Sequence, residues 1–463
     1  MNDTTKHLFY EYSLCFRSKV FVKKGHGEIG ILVVPPVSVG TVGGLLSQLP
    51  QQWFKQFTLY TFKSVPKQEK CIDMSSILDA CYDVLDKEDI KVIYADTRRS
   101  NIIKSILVNK YTALKGPSVD SIAISNHKYY VHALLDSCKN GLPKHIISLD
   151  GDVYDTSVDV LRTIPIPQFI RPCLGGGNTK YMAANKDQLI QDLQSSRKDT
   201  KNILQQSKFL EQHWNETDYP YLLKPVVLIS PYVDFIKIGK GSSWRSICVE
   251  AAVYNGEIIP WATCDYVFLP RDSSAPNHFF QGLEMPSQLQ KSDHEALWTR
   301  FKSDIENMIK YGFDNSFVHA EYLVFQDGFI ELASIKGFVQ AKCTPLYAHG
   351  LKNGNNIDAS MQLANGIRPK TPEPSGRSAL IHLMTIVHQG KADALVNFSA
   401  ASTDPSVVLR YTTKDDIVFE PATSSAKIGS IAVGGESFEG CLKKIKVIRK
   451  KILKIPEFLL FVG

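Results

Sequence analysis

Several features that would place the chain in a special class are absent from its sequence. No apolar run approaches the roughly 20 residues that a membrane-spanning helix needs, and runs such as 30–36 and 226–230 are far shorter. The first 17 residues carry Asp3, Lys6 and Glu11 and contain no apolar core of a signal peptide. We therefore expect neither a membrane span nor a secretory leader.

Cysteine pairs and excess charge are also missing. The nine cysteines are odd in number and scattered, with no C-x-x-C pair, which favours free thiols in a reducing cytoplasm over a disulfide scaffold or a zinc site. Lys and Arg total 53 against 47 for Asp and Glu, a net charge of +6, so the balance does not require a nucleic-acid partner.

One local exception to this charge balance is the segment 443–454, in which seven of twelve residues are basic. An anionic membrane or a nucleic acid would fit such a segment. The exposed side of a terminal helix and strand fits it too, and this is the interpretation that we expect to hold.

What the sequence does contain is typical of a folded globular protein. Its 463 residues include 44% hydrophobic and 22% charged residues, so it is long enough for two or three domains with a large core. The first third alternates strand-like and helix-like stretches, which predicts a parallel α/β sheet. Helices are expected at 74–85 and 128–140, and strands at 27–36, 57–62, 89–94 and 119–124.

A glycine-rich connection lies in the middle of the chain. A predicted strand at 164–171 runs into Gly175, Gly176, Gly177, Asn178 and Lys180, and a second strand is predicted at 181–184 before a helix at 185–207. Such a hairpin can fold over a polyphosphate with its backbone amides, or it can simply be a mobile surface hairpin. The earlier glycines Gly40, Gly43 and Gly44 match no phosphate-loop pattern, and we expect a plain turn there.

The chain becomes rich in predicted strands after residue 224, with a helix expected at 293–311. Asn255-Gly256 and 326–328 are strong hairpin turns. Because Glu321 and Glu331 are equally distant from Gln326, direct cross-strand pairing would bring both carboxylates to one face. A divalent metal such as Mg²⁺ with a nucleotide phosphate would satisfy them there, although the spacing alone favours two solvated glutamates on an exposed face.

Taken together, ordered segments of the chain resemble the ATP-grasp superfamily, in particular carboxylate–amine ligases such as L-amino-acid ligases and carnosine synthase. The segments with this resemblance are 119–143 (VDSIAISNHKYYVHALLDSCKNGLP), 170–189 (IRPCLGGGNTKYMAANKDQL), 227–233 (VLISPYV), 319–321 (HAE), 330–332 (IEL), 353–366 (NGNNIDASMQLANG), 376–390 and 429–442 (GSIAVGGESFEGCL).

The resemblance implies an ATP-dependent ligase that forms an amide through an acyl phosphate, with ATP and Mg²⁺ as cofactors. It assigns the metal to Glu321 and Glu331, and a catalytic role to Arg171 and Lys336. It assigns nucleotide binding to Arg171, Gly175, Gly176, Gly177, Asn178, Lys180, Ser230, Tyr232 and Val233.

The sequence departs from the family pattern at the same site. Arg171 stands where the family has a lysine, and Val153 follows Asp152 where the family has another lysine. Ser230 and Pro231 replace the usual acidic residue of the adenine linker. Ala333 replaces an asparagine ligand of the metal, and Lys336 takes the place of an arginine only if the strand shifts by one residue.

From these observations we expect an α/β and α+β protein with the ATP-grasp fold. The expected parts are a doubly wound, pre-ATP-grasp domain at 1–145, a nucleotide- and metal-binding region at 146–345, and a C-terminal α+β region at 346–463. The expected function is ligation of a small carboxylate, such as an amino acid or peptide, to an amine, in a cytoplasmic protein that can form a homodimer. The alternative is a catalytically degenerate relative that binds a ligand or has a structural role.

Overall fold

The computed structural model of the protein describes most of the chain between residues 21 and 454. The described residues are 21–24, 27–35, 56–62, 67–68, 71–138, 145–148, 168–174, 181–183, 185, 187–193, 196, 208–214, 217–231, 244–268, 280–386, 390–409, 416–417 and 426–454.

The N-terminal part of the described chain forms a four-stranded sheet covered by helices. The order is β1-β3-β2-β6, in which β2 is parallel to β3 and β6, while β1 is antiparallel to β3. This confirms the predicted parallel α/β unit and adds an antiparallel edge. The elements are β1 (Phe21–Lys24), β2 (Ile29–Val33), β3 (Phe57–Phe62), the short pair β4 (Lys67–Gln68) and β5 (Cys71–Ile72), α1 (Met74–Leu85), β6 (Ile90–Tyr94) and α2 (Arg98–Lys110).

Side-chain caps fix the starts of both helices. The Asp73 carboxylate accepts the backbone N–H of Ser76 at the start of α1, and Thr97 forms a reciprocal capping box with Ser100 at the start of α2. The buried residues of α1 recur at the three- and four-residue spacing of one helical face, as the sequence predicted. The start of α2 is thereby held in place just after β6.

One sequence prediction in this region is wrong. Residues 119–124 were expected to form a strand, but α3 (Val119–Asn126) is a helix, whose N-cap Ser118 accepts the N–H of Ser121. Nearly every residue of α3 is buried, so it has no polar face and its apolar run could not be distinguished from a buried strand. The helix ends before the extended residue His127, which bridges Leu174, and α4 (Lys128–Tyr130) then leads into a π-helical turn, Val131–Leu135.

A second, smaller sheet is built from the middle of the chain. Its order is β7-β10-β8-β9, and all its neighbours are antiparallel. Its strands are β7 (His145–Ser148), β8 (Gln168–Pro172), β9 (Tyr181–Ala183) and β10 (Val226–Pro231). The predicted strands at 164–171 and 181–184 are therefore confirmed in their described parts, β10 begins the strand-rich region predicted after residue 224, and residues 187–193 are helical.

The third and largest sheet has eight antiparallel strands in the order β15-β14-β11-β12-β13-β18-β22-β20. Strands from the C-terminal region continue this sheet. Its strands are β11 (Trp244–Tyr254), β12 (Glu257–Phe268), β13 (Phe280–Met285), β14 (Ser316–Phe325), β15 (Ile330–Lys336), β18 (Ser378–Ile386), β20 (Val407–Leu409) and β22 (Ala426–Gly435).

Both predicted hairpin turns are present in this sheet. Asn255 and Gly256 have φ angles of 48° and 78°, as a two-residue hairpin requires. Gly328, in the turn between β14 and β15, has a φ of 83°.

The two faces of the large sheet are covered by different parts of the chain. On one face, Val249 and Val253 of β11 belong to a core with helix α5 (Lys291–Lys310). On the other, Cys248 and Ala252 belong to a core with the N-terminal sheet. The charged residues described below lie on the face of Cys248, in the space between the sheets.

The remaining described elements are shorter, apart from the last helix. They are α6 (Thr344–Gly350), β16 (Leu351–Lys352), α7 (Asn356–Ala364), β17 (Glu373–Pro374), β19 (Gly390–Lys391), α8 (Ala392–Leu395), α9 (Phe398–Thr403), β21 (Asp416–Ile417) and α10 (Phe438–Ile452), besides the 3-10 turns Lys208–Gln212 and Ala341–Cys343. In the described part of the chain, no helix combines the length and apolarity needed to cross a bilayer.

The basic segment at 443–454 lies mainly on α10. The helix buries Cys441, Ile445, Arg449 and Ile452, so the predicted exposed face of a terminal helix is confirmed. The outward-facing basic residues are Lys443, Lys444, Lys446, Lys450 and Lys451.

Candidate active site

The two glutamates singled out in the sequence lie on adjacent strands but are not directly opposite one another. Glu321 on β14 pairs with Ser334, and Glu331 on β15 pairs with Leu323. The prediction of direct pairing is wrong because Phe325 pairs with Phe329, which centres the turn on Asp327 and places Glu331 opposite Leu323. A bulge between the pairs of Tyr322 and Glu321 then makes Ser334 the partner of Glu321. Glu321 and Leu323 share a face, so the two glutamates are diagonal neighbours on that face, a spacing of roughly 7–8 Å.

Glu321 is held by three side chains from three strands. Its Oε1 accepts from Lys336 Nζ at 2.5 Å and from Tyr266 O–H at 2.9 Å, and lies 3.4 Å from His319 Nε2. Lys336 pairs with His319 across β14 and β15, which sets its side chain beside Glu321. Burial by itself raises the pKa of Glu321, but Lys336 and His319 more than offset this and hold the pKa well below its usual range. Glu321 is therefore ionised at neutral pH.

His319 lies between two carboxylates. Its Nδ1 is 2.8 Å from Oε1 of Glu250 on β11, and both residues are almost completely buried. From the sequence alone, a packed histidine is favoured over a general base at this position. The structure places it behind Glu321, where it links that carboxylate to Glu250, and Tyr266 O–H lies 3.4 Å from its Nε2. This arrangement fits a residue that orients Glu321.

Arg171 on β8 approaches the same carboxylates from the small sheet. Its Nη2 donates to the hydroxyl of Ser230 on β10 at 3.2 Å. Burial lowers the pKa of Arg171, and interactions with Cys173, Glu331 and Glu321, in that order, raise it. The predicted cation and the two predicted metal ligands are thus brought together. Ser230 is buried beside Arg171, as a lining residue of a shared cleft would be.

Most of the predicted nucleotide-binding residues cannot be placed. Gly175, Gly176, Gly177, Asn178, Lys180, Tyr232 and Val233 lie outside the described residues. Their roles stay predictions from the sequence.

Glu331 also belongs to a second cluster of potential ligands. One ligand atom each of His132, Asp136 and Glu331 lies within 4.8 Å of the others. His132 and Asp136 come from the π-helical turn and the residue after it. Asp136 also forms an ion pair with Arg300 of α5, so part of its charge is already balanced. The cluster extends the acidic surface around Glu331 toward the helices.

The donor set can be compared with the Mg²⁺ that the sequence resemblance implies. Every described contact of Glu321 falls on Oε1, so its second oxygen has no hydrogen-bond partner among the described residues. Mg²⁺ is usually held by one or two carboxylates, with phosphates and water as the other ligands. Glu321 and Glu331 fit one such ion. A second ion would lack a side-chain oxygen, because residue 333 is alanine.

Sequence reasoning missed several residues of this site. Glu250 contacts His319, and Tyr266 contacts Glu321, only because β11 and β12 pair beside β14, and no local pattern indicates this. The position of Arg98, in contrast, could have been found from the sequence, because this residue follows the predicted strand at 89–94. Side chains just after a parallel strand lie at the sheet edge where α/β proteins bind ligands.

Sequence comparison finds no matching family model and no matching curated protein. Solved structures do match. An L-amino acid ligase from Bacillus licheniformis is 11% identical, with a TM-score of 0.65 over 92% of this chain and 98% of its own. A phosphoribosylglycinamide synthetase from Anaerococcus prevotii is 14% identical, with a TM-score of 0.60 over 92% of this chain and 100% of its own.

A third similar structure contains a nucleotide. A carboxyaminoimidazole ribonucleotide synthase from Aspergillus clavatus, complexed with ATP, is 11% identical, with a TM-score of 0.60 over 91% of this chain and 97% of its own. These matching structures are ATP-grasp ligases and extend over nearly the whole of each chain. The α+β architecture described above agrees with theirs. The chain therefore has the ATP-grasp fold.

Proposed function

We propose that the protein is an ATP- and Mg²⁺-dependent ligase that joins the carboxylate of an amino acid or small peptide to an amine. The observation that carries the proposal is the approach of Arg171, from the small sheet, to Glu321 and Glu331 of the large sheet. A cation on one sheet can bind the phosphate oxygens, and two carboxylates on the other can bind the metal, so a metal–triphosphate complex fits between the two sheets.

The proposed reaction has two steps. A carboxylate oxygen of the substrate attacks the γ-phosphorus of ATP, the bond from that phosphorus to the bridging oxygen of ADP breaks, and an acyl phosphate forms. The amine then attacks the acyl carbon, the bond from that carbon to the phosphate oxygen breaks, and the amide and inorganic phosphate are released while the amine loses a proton to solvent.

Each described side chain has a part in this scheme. Arg171 binds the γ-phosphate and stabilises the charge that develops on it. Glu331 and Oε2 of Glu321, which has no hydrogen-bond partner among the described residues, would hold Mg²⁺, and the ion would neutralise the phosphate oxygens. Lys336 keeps Glu321 ionised and fixes its orientation, and His319 with Glu250 supports that orientation from behind. The chemistry depends mainly on placing three reactants together.

A second candidate is a catalytically degenerate protein that binds a ligand. The observation that favours it is the close pairing of Lys336 with Glu321, together with Ala333, since both reduce the oxygen ligands available for metal. In that case the cleft would bind a nucleotide or another anion without turnover.

Nucleotide-dependent thermal stabilisation separates the two candidates in stages. A ligand that binds only the folded protein raises its melting temperature. Stabilisation by millimolar ATP with Mg²⁺, followed by phosphate release with one or more members of a panel of amino acids and dipeptides, supports the ligase. Stabilisation without phosphate release supports the degenerate binder, and no stabilisation contradicts both nucleotide-binding proposals.

A further inference from the structure

Arg98 lies where the N-terminal sheet meets the candidate site. It is the first residue of α2, four residues after the end of β6, at the carboxyl edge of the parallel strands. One turn further on, the buried side-chain amide of Asn101 donates to the carbonyl oxygen of Gly337 at 2.7 Å. The start of α2 is thus fixed against the end of β15, next to Lys336.

The guanidinium of Arg98 has an unsatisfied donor. Its Nη1 is buried and has no hydrogen-bond partner among the described residues. The start of α2 lies beside the end of β15, where Lys336 contacts Glu321, and in keeping with this position burial lowers the pKa of Arg98 while the charge of Glu321 raises it. Yet the contacted oxygen of Glu321 is already taken by Lys336 and Tyr266. Because a buried cation without a full set of acceptors is costly, such a group indicates a missing partner.

Two more buried donors around Glu321 also lack an acceptor among the described residues. The hydroxyl of Ser334, the cross-strand neighbour of Glu321, and Nε of Arg171 both have no hydrogen-bond partner among the described residues. Arg98, Ser334 and Arg171 come from three separate sheets or helices. Three unsatisfied donors around one carboxylate that is already paired would be satisfied by a ligand with several negatively charged oxygens.

We propose that Arg98 binds the carboxylate group of the substrate that becomes phosphorylated, and then the acyl phosphate formed from it. The inference rests on the proposed ligase function and names the residue that recognises its first substrate. Arg171 is followed in sequence by the glycine-rich segment, so we assign it to the triphosphate. Arg98, at the edge of the N-terminal sheet, is then the cation available for the substrate carboxylate. A guanidinium binds a carboxylate through two parallel N–H donors, which also fixes the attacking oxygen.

The test uses the full chain with Arg98→Met and Arg98→Lys, and Arg377→Met as a control, because Arg377 is exposed and lies outside the candidate site. For Arg98→Met we expect the KM for the carboxylate substrate to rise at least about 30-fold, and the KM for ATP to stay within about twofold. Arg98→Lys keeps the charge but loses the two parallel N–H donors, and its KM for the carboxylate should lie between those of the native protein and Arg98→Met. The control should behave as the native protein.

A second readout distinguishes substrate binding from a purely structural role. Because Nη1 of Arg98 is buried without an acceptor among the described residues, Arg98→Met should leave the melting temperature of the unliganded protein unchanged or higher, whereas removing a structural contact lowers it. Thermal melts of all four proteins with inorganic phosphate, and with each of the 20 common amino acids, then measure anion binding without turnover. Stabilisation of the native protein that is lost in Arg98→Met supports the proposal.

Other outcomes overturn the proposal or separate it from the ligase function. The proposal is overturned if Arg98→Met leaves the KM for the carboxylate unchanged, or if it raises the KM for ATP and the KM for the carboxylate equally. If ATP with Mg²⁺ fails to stabilise the native protein, the proposed function fails. The role of Arg98 then depends on the melts with phosphate and amino acids, and it stands only if Arg98→Met abolishes a stabilisation that the native protein shows.

Discussion

The ammonium group of Lys336 lies 2.5 Å from Oε1 of Glu321, and this pair joins the end of β15 to the middle of β14 on the face where Arg171 approaches. Both side chains are only about a quarter exposed, at 21% and 27%. Solvent therefore screens the attraction between the two charges less than it does in a surface ion pair. It also leaves one oxygen of Glu321 for a ligand.

Replacing Lys336 by methionine should destabilise the fold at neutral pH by about 1–3 kcal/mol, the usual value of a hydrogen bond to a charged group. Because the folded pKa of Glu321 is depressed, its contribution to stability is present above its unfolded pKa and is lost as the pH falls through the folded value. The difference between variant and native protein should thus shrink in acid. Urea unfolding at pH 7 and pH 3 measures both values.

Lys302→Met provides the control for that prediction. Lys302 and Glu306 form an exposed pair on α5 with an N–O distance of 4.0 Å, and such pairs contribute little. Equal stability of Lys336→Met and native protein at pH 7 would show that the close pair contributes nothing.

Arg171→Lys should preserve the stabilisation of the protein by ATP with Mg²⁺, because it keeps the charge that faces both glutamates. Arg171→Met should weaken the apparent affinity for ATP at least about tenfold, since a hydrogen-bonded charge on the phosphate is lost. Melting temperatures across an ATP titration give both affinities. Arg368→Met, which removes an exposed pair with Glu257 away from the candidate site, is the control. Equal ATP affinities in all three variants would remove Arg171 from the proposed site.

Glu331→Gln should reduce ATP-dependent phosphate release by about 100-fold or more, because an amide preserves the shape but not the charge that holds a metal. The same variant should reduce the dependence of ATP binding on Mg²⁺. Glu295→Gln, on the exposed side of α5, should leave both quantities unchanged. Phosphate release at native rates from Glu331→Gln would exclude Glu331 as a metal ligand.

The sequence was sufficient for the features that depend on local chemistry. The turn at Asn255-Gly256 and the hairpin around Asp327 were predicted because positive φ angles are confined to a few residue types. The order of segments also predicted the fold that the structural comparison shows. The helix 119–126 was missed because an apolar run that is buried on all sides has no period to distinguish helix from strand.

The details of the site depended on information that local sequence does not carry. The turn is centred one residue later than the sequence suggested, which places Glu331 opposite Leu323, and a bulge beyond that pair moves the partner of Glu321 one residue further, to Ser334. Bulges have no reliable sequence signature. The contacts of Glu321 with Tyr266 and Lys336, and the approach of Arg98, require the sheets to be assembled first. The domain boundaries near 145 and 345 stay a prediction, although the C-terminal strands continue the large sheet.

Glu284 should make the protein less stable as the pH rises toward neutrality. It is directly opposite Asp265 on β12 and β13, and both are buried. Asp265 accepts from Arg245 at 2.5 Å, from Ser287 O–H at 2.7 Å and from the N–H of Gln288 at 2.9 Å. Burial first, and then Asp265, raises the pKa of Glu284 to about 7.

The direction of this change in stability follows from the pH range in which Glu284 is protonated in the folded protein but not in the unfolded chain. Between about pH 4.5 and pH 7 the unfolded chain loses that proton while the folded protein retains it, so stability falls across this range and levels off above it. Glu284→Gln is neutral in both states and should remove this slope. The variant should match the native protein at pH 4.5 and exceed it at pH 8 by roughly 1–2 kcal/mol once solvent screening is allowed for. Chemical unfolding at half-unit pH steps measures the slope, with the exposed Glu373→Gln as control. A Glu284→Gln variant that keeps the native pH profile would mean that Glu284 is ionised beside Asp265 at neutral pH.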